Sequence, residues 1–311
     1  MSNLFQNDLY TLDSLKPSLI YLIFKQAESL RKSSPTSLLK ILRGKLAALL
    51  FYEPSSRTFS SFSSAMKRLG GQTIEYQNPL QTSSAVKGET IEDSAIVFSN
   101  YVDAIIVRHP ETGTVKRMAD IVSIPVINAG DGIGEHPTQA LLDLYTIWRK
   151  HKSLDNLKGL MAGDLKNGRT IHSLLKGLSK FKSNTVYLLS PKELKLSEKD
   201  KKEYRDQGVT LIEITSSSEI PADCHYWYWT RVQKERFDDV KEYEKLKLRF
   251  ILNKKLVNEK AGEKTLLMHP LPRVGEIAVD VDSDPRATYL DEQLKNGMYI
   301  RMALLKMILS K

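Results

Sequence analysis

Short apolar runs separated by amphipathic stretches constrain this chain more than any other feature. They fall at Leu46 to Phe51, Ala104 to Val107, Val126 to Asn128, Leu160 to Gly163, Val186 to Leu189, Leu211 to Ile214 and Leu266 to His269. Runs of this length read as buried strands, and the stretches between them read as helices. Strand and helix in alternation predict parallel βαβ units, so the expected fold class is α/β, with doubly wound parallel sheets carrying helices on both faces. A length of 311 residues, set against roughly 150 residues per domain, favours two such domains. Each is large enough to bury about two thirds of its unfolded surface without a metal or disulfide staple.

The least patterned internal break is His151 to Lys158, HKSLDNLK, which follows a long helical stretch and precedes a new strand. It divides the chain into a first domain over 1–150 and a second over 151–290. The last segment places Leu294, Met298, Met302, Leu305 and Leu309 at helical spacing, predicting a terminal helix with one buried face. Periodicity does not say which domain that helix joins; residues 291–311 are expected to pack back on the first.

Charge and cysteine usage remove several functional classes. Lys and Arg total 46 against 37 Asp and Glu, a formal net charge of +9. The lysines are spread out, and the densest cluster, Lys199 to Lys202, sits among Glu198, Asp200 and Glu203. That is a solvated helix face rather than a nucleic-acid patch. The single cysteine, Cys224, has no disulfide partner, and no Cys/His cluster has zinc spacing, so no metal is expected and a reducing, cytoplasmic setting is. No apolar run approaches the roughly 18 residues of a membrane span, and the start, MSNLFQNDLY, lacks the basic and apolar regions of a leader. A soluble, untargeted protein is the expectation.

In open α/β sheets ligands bind beyond the carboxyl ends of the strands, so the residues just after each apolar run carry the search. Leu46 to Phe51 runs into YEPSSRT, and Phe59, Phe62, Met66 and Leu69 then mark one face of a helix that stops at Gly70-Gly71. Ser55 or Ser56 should cap that helix. A strand, a hydroxyl-rich turn, Arg57 and Thr58 at a helix N-terminus together make a phosphate cradle, because the first N–H groups and the helix dipole favour an anion.

Val107 is followed by Arg108-His109-Pro110, and an arginine straight after a buried strand is placed for charge rather than packing. Asn128 leads through AGDGIGEHPTQ, where glycines permit unusual backbone angles and His136 to Gln139 opens the next helix. In the second half, Gly163-Asp164 precedes LKNGRT and puts Arg169 at a helix start, while Trp229 precedes TRVQKERF with Arg231, Gln233 and Arg236. Read alone, these last two are equally compatible with charged surface turns.

The segments FYEPSSRT, AMKRLGG, KGET, RHP, NAGDG, HPTQALLDLYTI, GDLKNGRTIHSL, TRVQKERF and MHPLPRVGEI, in that order, resemble the aspartate carbamoyltransferases, catalytic chains that join carbamoyl phosphate to L-aspartate on the pyrimidine pathway. The likeness spans nearly the whole chain. The ornithine-specific sibling family is similar in its first half but resembles itself in an SMG element and a His-Cys-Leu-Pro loop, where this chain has Thr230-Arg231-Val232-Gln233 and His269-Pro270-Leu271-Pro272. Arginine forks suit a dicarboxylate and not a cationic acceptor.

The resemblance implies that Ser55, Ser56, Arg57 and Thr58 hold the phosphate, and that Thr58, Arg108 and His136 reach the carbonyl oxygen. Gln139 and the carbonyls of Pro270 and Leu271 would orient the transferable amino group. Ser83 and Lys87 would enter a neighbouring subunit's site, making the active site shared within a homotrimer, with Lys87 also among the catalytic and aspartate-binding groups. Arg169, Arg231 and Gln233 would bind the aspartate carboxylates, and Glu53 would bridge to Arg169 and Arg236 on domain closure. No cofactor, metal, nucleic acid or membrane is implied, and a regulatory chain is compatible but not required. Position 56 is Ser where many relatives carry Thr, which keeps a hydroxyl. Val86 stands where some carry a second lysine, so one cation enters from that loop.

Overall fold

The computed structural model describes residues 3–78, 88–234, 237, 239–247 and 249–310. Two parallel sheets organise them. The first takes strands β1 (Leu46–Phe51), β2 (Gln72–Gln77), β3 (Ala104–His109) and β4 (Val126–Asp131), in the order β2-β1-β3-β4. The second takes β5 (Lys158–Ala162), β6 (Thr185–Leu189), β7 (Thr210–Ile214), β8 (Tyr226–Trp229) and β9 (Leu266–Met268), in the order β7-β6-β5-β8-β9. Every ladder between neighbours is parallel.

Helices α1 (Pro17–Lys32), α2 (Pro35–Leu38), α3 (Ser56–Arg68), α4 (Ile91–Ser99), α5 (Thr114–Ile121) and α6 (Pro137–His151) accompany the first sheet. After it come α7 (Arg169–Leu178), α8 (Glu198–Asp206), α9 (Val240–Leu246), α10 (Lys254–Lys260) and α11 (Glu292–Leu309). The anticipated parallel α/β architecture with two sheets is present.

The strands form where the sequence offers residues that tolerate burial on both faces, as central parallel strands require. LAALLF of β1 and AIIVRH of β3 are buried almost throughout, and so is VINAGD of β4. Two strands carry no aliphatic run. β2, QTIEYQ, lies at the edge of its sheet, is mostly exposed or half-buried, and so needs only alternation. β8, YWYW, lies between β5 and β9 with all four aromatics buried, and its rings do the packing that aliphatic side chains do elsewhere.

The chain divides into two compact units: residues to Leu142 together with those from Asn296 onward, and Asp143 to Lys295. The division falls inside α6 and again inside α11, not in the unpatterned stretch 151–158. The core of the first unit gathers Ala48, Leu50, Ile105, Val107, Val115, Met118 and Val126. That of the second gathers Leu160, Ala162, Leu189, Trp227, Trp229, Leu267 and Tyr289.

The terminal helix differs from the one-faced helix expected. Leu294 is 43% exposed, whereas Ile300, Met302, Ala303, Leu304, Leu305 and Ile308 are fully buried. Consecutive positions 302–305 cannot share one face of a helix, so the second half of α11 is enclosed on several sides. It is tied into the first unit by the Gln6 N–H on the Ile308 carbonyl at 3.0 Å and by Lys306 Nζ on Gln26 Oε1 at 3.0 Å.

Both sheets have a point where the strand order reverses: between β1 and β3 in the first, between β5 and β8 in the second. Loops leaving the carboxyl ends of such a pair run to opposite sides and leave a crevice. At or just beyond the carboxyl ends of these four strands stand Glu53 to Thr58, Arg108 near the end of β3, Gly163 to Arg169 and Thr230 to Gln233.

Candidate active site

In the first unit, β1 leads directly into α3, with Ser55 at the N-cap position and Ser56, Arg57 and Thr58 as the first helical turn. The Ser55 side chain makes no capping hydrogen bond. A serine here ordinarily satisfies an N–H of the first turn; without that bond, the first-turn N–H groups lack this side-chain acceptor at the positive end of the helix. The expected cap is therefore occupied by Ser55 in position only. Ser55 is half-buried, Ser56 and Arg57 are exposed, and Thr58 is buried.

Arg108, the last residue but one of β3, pairs opposite Phe51 of β1. Its carbonyl accepts the Tyr52 N–H at 2.8 Å, which holds the two strand ends together. The guanidinium is buried, with 8% of the side chain exposed, and pairs through Nη2 with Glu53 Oε2 at 3.0 Å. Nη1 lies 3.5 Å from the Ala129 carbonyl. Room for it comes from Gly130, at φ +128°, where a Cβ would stand 2.8 Å from Nη1. The next residue, His109, turns to the opposite face as strand geometry requires, and its ring meets Tyr52 at 5.0 Å. Burial pushes the His109 imidazole below its ordinary range, against the pull of the Glu111 and Asp131 carboxylates.

His136 immediately precedes α6, buried, with Pro137 in the first helical position. Its carbonyl accepts from the N–H groups of Gln139 at 3.0 Å and Ala140 at 3.1 Å, so the helix start fixes its place. Gln139 is half-buried one turn on. Thr58, Arg108, His136 and Gln139 thus belong to one unit, at or after the carboxyl ends of β1, β3 and β4.

The loop from β4 to His136 is held by side chains to which the sequence reading gave no role. Asn128, 1% exposed, accepts the Gly130 N–H at 2.7 Å and donates to the Tyr10 carbonyl at 2.9 Å. Glu135 accepts from Thr11 Oγ1 at 2.7 Å and the Leu12 N–H at 2.8 Å. Asp131 accepts the Gly113 N–H at 2.9 Å at the start of α5, and burial raises its pKa despite the N–H groups of Gly113, Val115 and Thr114. Arg301 of α11, 3% exposed, donates to Ser61 Oγ of α3 at 3.0 Å and lies 3.4 Å from Thr138 Oγ1 of α6. The available signal was polarity inside apolar segments: an Asn within the buried run VINA and an Arg inside MYIRMALL.

In the second unit, Arg169 is the first residue of α7, whose N-cap is Gly168 and again carries no side-chain cap. The loop before it is organised by Asp164, fully buried, which accepts the Asn167 N–H at 2.9 Å and lies 3.4 Å from the Gln233 N–H. Burial raises the Asp164 pKa, partly countered by these N–H groups. Gln233 Nε2 donates to the Asn167 carbonyl at 2.8 Å. One carboxylate and one amide therefore join the Arg169 loop to the Arg231–Gln233 loop beyond β8. Gln233 is engaged with protein here, through the side chain that the resemblance assigns to aspartate.

Pro270 and Leu271 follow β9 and are half-buried, with Leu271 in the left-handed region at φ +53°. Ser83, Lys87 and Arg236 lie outside the described residues. Glu53, expected to bridge to Arg169 and Arg236, is paired with Arg108 within its own unit. Among the described residues, no group of three or more His, Cys, Asp or Glu could hold a metal ion.

Residues 7–149 match the family described as "Aspartate/ornithine carbamoyltransferase, carbamoyl-P binding domain", and residues 155–308 match its companion, the "Asp/Orn binding domain". The chain is 47% identical over 291 residues to aspartate carbamoyltransferase 3, chloroplastic, of Pisum sativum, covering 93% of this chain and 73% of that one. It is 44% identical over 285 residues to the aspartate carbamoyltransferase catalytic subunit of Methanocaldococcus jannaschii, covering 92% and 90%. Among solved structures it is similar to the M. jannaschii catalytic subunit (TM-score 0.88, 42% identity, 96% of this chain and 97% of that). It is also similar to the Trypanosoma cruzi enzyme in complex with carbamoyl phosphate and aspartate (TM-score 0.89, 34% identity, 99% and 98%).

Proposed function

The chain belongs to the aspartate/ornithine carbamoyltransferase family, and we propose that it transfers the carbamoyl group of carbamoyl phosphate to the amine of L-aspartate, giving N-carbamoyl-L-aspartate and phosphate. The observation that carries this reading is the placement of arginine at both strand-order reversals: Arg57 and Arg108 in one unit, Arg169 and Arg231 in the other. Relatives named aspartate carbamoyltransferase at 44–47% identity support aspartate over ornithine as the acceptor, as do the T. cruzi structures with carbamoyl aspartate and phosphate.

Carbamoyl phosphate and aspartate together bring about three negative charges at neutral pH, and removing them from water requires compensating cations and N–H groups. In the first unit, the α3 start with Ser55, Ser56, Arg57 and Thr58 takes the phosphate. Thr58, Arg108 and His136 donate toward the carbonyl oxygen, and Gln139 with the Pro270 and Leu271 carbonyls accepts from the amino group. In the second, Arg169, Arg231 and Gln233 take the aspartate carboxylates. The neutral amine of aspartate attacks the carbonyl carbon, and negative charge grows on the oxygen. The C–O bond to phosphate then breaks, and the amine proton leaves with the departing phosphate as its acceptor. Preorganised donors at that oxygen supply most of the acceleration, at roughly 2.7–4 kcal/mol for one such donor.

Ser83 and Lys87 are assigned to a neighbouring subunit's site in a homotrimer. Mixing a Lys87→Ala chain with a His136→Ala chain tests this, since subunit exchange between two inactive trimers regenerates intact sites only when sites are shared. The activity itself is tested by incubating purified protein with carbamoyl phosphate and a panel of amines including aspartate and ornithine. Phosphate release and carbamoyl-amino acid are followed; product with ornithine and none with aspartate overturns the assignment.

A further inference from the structure

The loop after β9 holds a backbone that needs external support. Leu271 has φ +53°, a left-handed conformation that L-residues with a branched side chain rarely keep unless their surroundings impose it. The support is a chain of buried polar groups. The Leu271 N–H donates to His269 Nδ1 at 2.8 Å, and His269 Nε2 meets Glu276 Oε1 at 2.7 Å, with both side chains almost fully buried at 0% and 3% exposure. Glu276 Oε2 accepts the Val274 N–H at 2.9 Å, from the far side of the same loop.

These contacts fix the tautomer. Because Nδ1 accepts from a backbone N–H, it carries a lone pair, so the ring proton sits on Nε2 and is donated to the carboxylate. The other side of His269 is held equally: its own N–H donates to Gln293 Oε1 at 3.1 Å, Gln293 Nε2 donates to Asp143 Oδ1 at 2.7 Å, and Tyr228 Oη donates to Asp143 Oδ2 at 2.8 Å. The side chains of His269, Glu276, Gln293, Asp143 and Tyr228 are all buried.

From this we infer that His269 and Glu276 are positioning residues for carbamoyl phosphate: they orient the peptide units of Pro270 and Leu271 so that their carbonyls recognise the substrate's amino group. The inference rests on the carbamoyltransferase reading and names, within it, the residues that distinguish carbamoyl phosphate from phosphate alone. A carbonyl that accepts from an amide NH2 is direction-sensitive, and a buried pair with a single tautomer is a stiff way to set its direction. Inorganic phosphate has no amino group for these carbonyls, so its affinity does not depend on them.

The experiment compares wild type with two near-isosteric substitutions. In His269→Asn the side-chain oxygen stands where Nδ1 stood and still accepts from Leu271. In His269→Gln the amide reaches Glu276, but no acceptor remains at the Nδ1 position. Calorimetric titrations with carbamoyl phosphate and with inorganic phosphate, alongside thermal melts, give the discriminating ratio. His269→Gln is expected to weaken carbamoyl phosphate binding roughly tenfold, the loss of one or two oriented hydrogen bonds, with phosphate affinity changed by less than about twofold. His269→Asn recovers most of that loss. An unchanged affinity ratio in His269→Gln, or equal loss of both ligands in both variants, overturns the positioning role. A wild-type chain that binds phosphate but not carbamoyl phosphate overturns the underlying carbamoyltransferase reading instead.

Discussion

Replacing Gly130 with alanine tests whether the position of the Arg108 guanidinium sets the rate. The glycine has φ +128°, and an added Cβ would meet Arg108 Nη1 at 2.8 Å, so the guanidinium has to retreat by about 0.6 Å to reach ordinary contact at 3.4 Å. Two effects follow and are separable. Holding alanine at that backbone angle costs about 1–3 kcal/mol, which for a unit of this size lowers the melting temperature by roughly 2–12 °C. Displacing a donor aimed at the reacting carbonyl acts on the rate: a 1 Å misplacement costs about 10²-fold, so kcat should fall on the order of 10- to 100-fold. Carbamoyl-aspartate formation at saturating substrates, measured well below the melting transition with near-ultraviolet dichroism confirming the fold, reads the second effect free of the first. A variant that melts lower yet keeps kcat within twofold would show that Arg108 does not act on the transition state from this position.

Three further outcomes are expected. Arg57→Ala should weaken phosphate and carbamoyl phosphate alike by roughly 10- to 150-fold in calorimetry, the value of a charge-assisted hydrogen bond to an anion; unaltered binding would remove Arg57 from the cradle. Arg231→Ala should raise the aspartate KM by a similar factor while carbamoyl phosphate affinity is retained, and equal damage to both ligands would contradict the division of substrates between the units. His151 is half-buried beside His225, and this partial burial lowers its pKa from 6.5 to about 4, with His225, Lys150 and Lys264 also disfavouring the charge. Between these values the unfolded chain binds a proton that the folded chain refuses, so stability present above pH 6.5 is lost progressively toward pH 4. Denaturation midpoints against pH should show this slope in wild type and a shallower one in His151→Asn.

What could be read from the sequence was whatever local chemistry dictates. Aliphatic runs marked the central strands because parallel strands are buried on both faces, and Ser55 to Thr58, Arg108 and His136 stood out because polar groups directly after such runs have no packing reason to be there. β2 and β8 escaped for opposite reasons. Gln72 to Gln77 is an edge strand whose identity comes from pairing with β1, and Tyr226 to Trp229 packs by aromatic rings. The supports escaped because their meaning is tertiary. Nothing near Arg301 in the chain announces Ser61, 240 positions away, and nothing near Asp143 announces Gln293, 150 positions away. The division of the chain inside α6 was equally invisible, since a continuous helix gives no local sign that its two halves belong to different cores.

The placement of Glu53 follows from the same physics that makes the cradle. A helix N-terminus and the guanidiniums of Arg57 and Arg108 add positive potential at this end of the sheet, and a buried cation needs a partner because leaving it without one is strongly unfavourable. Glu53 stands two residues beyond β1, and its carboxylate meets Arg108 at 3.0 Å while remaining 35% exposed. A partly solvated carboxylate is a suitable stand-in: it neutralises the buried guanidinium, yet its own hydration keeps the cost of moving it small. On the proposed assignment of Arg108 to carbamoyl phosphate, an incoming anion competes with this internal carboxylate, so a calorimetric affinity should report the difference between those two interactions, and Glu53→Gln should raise it; an affinity unchanged in Glu53→Gln would refute that competition.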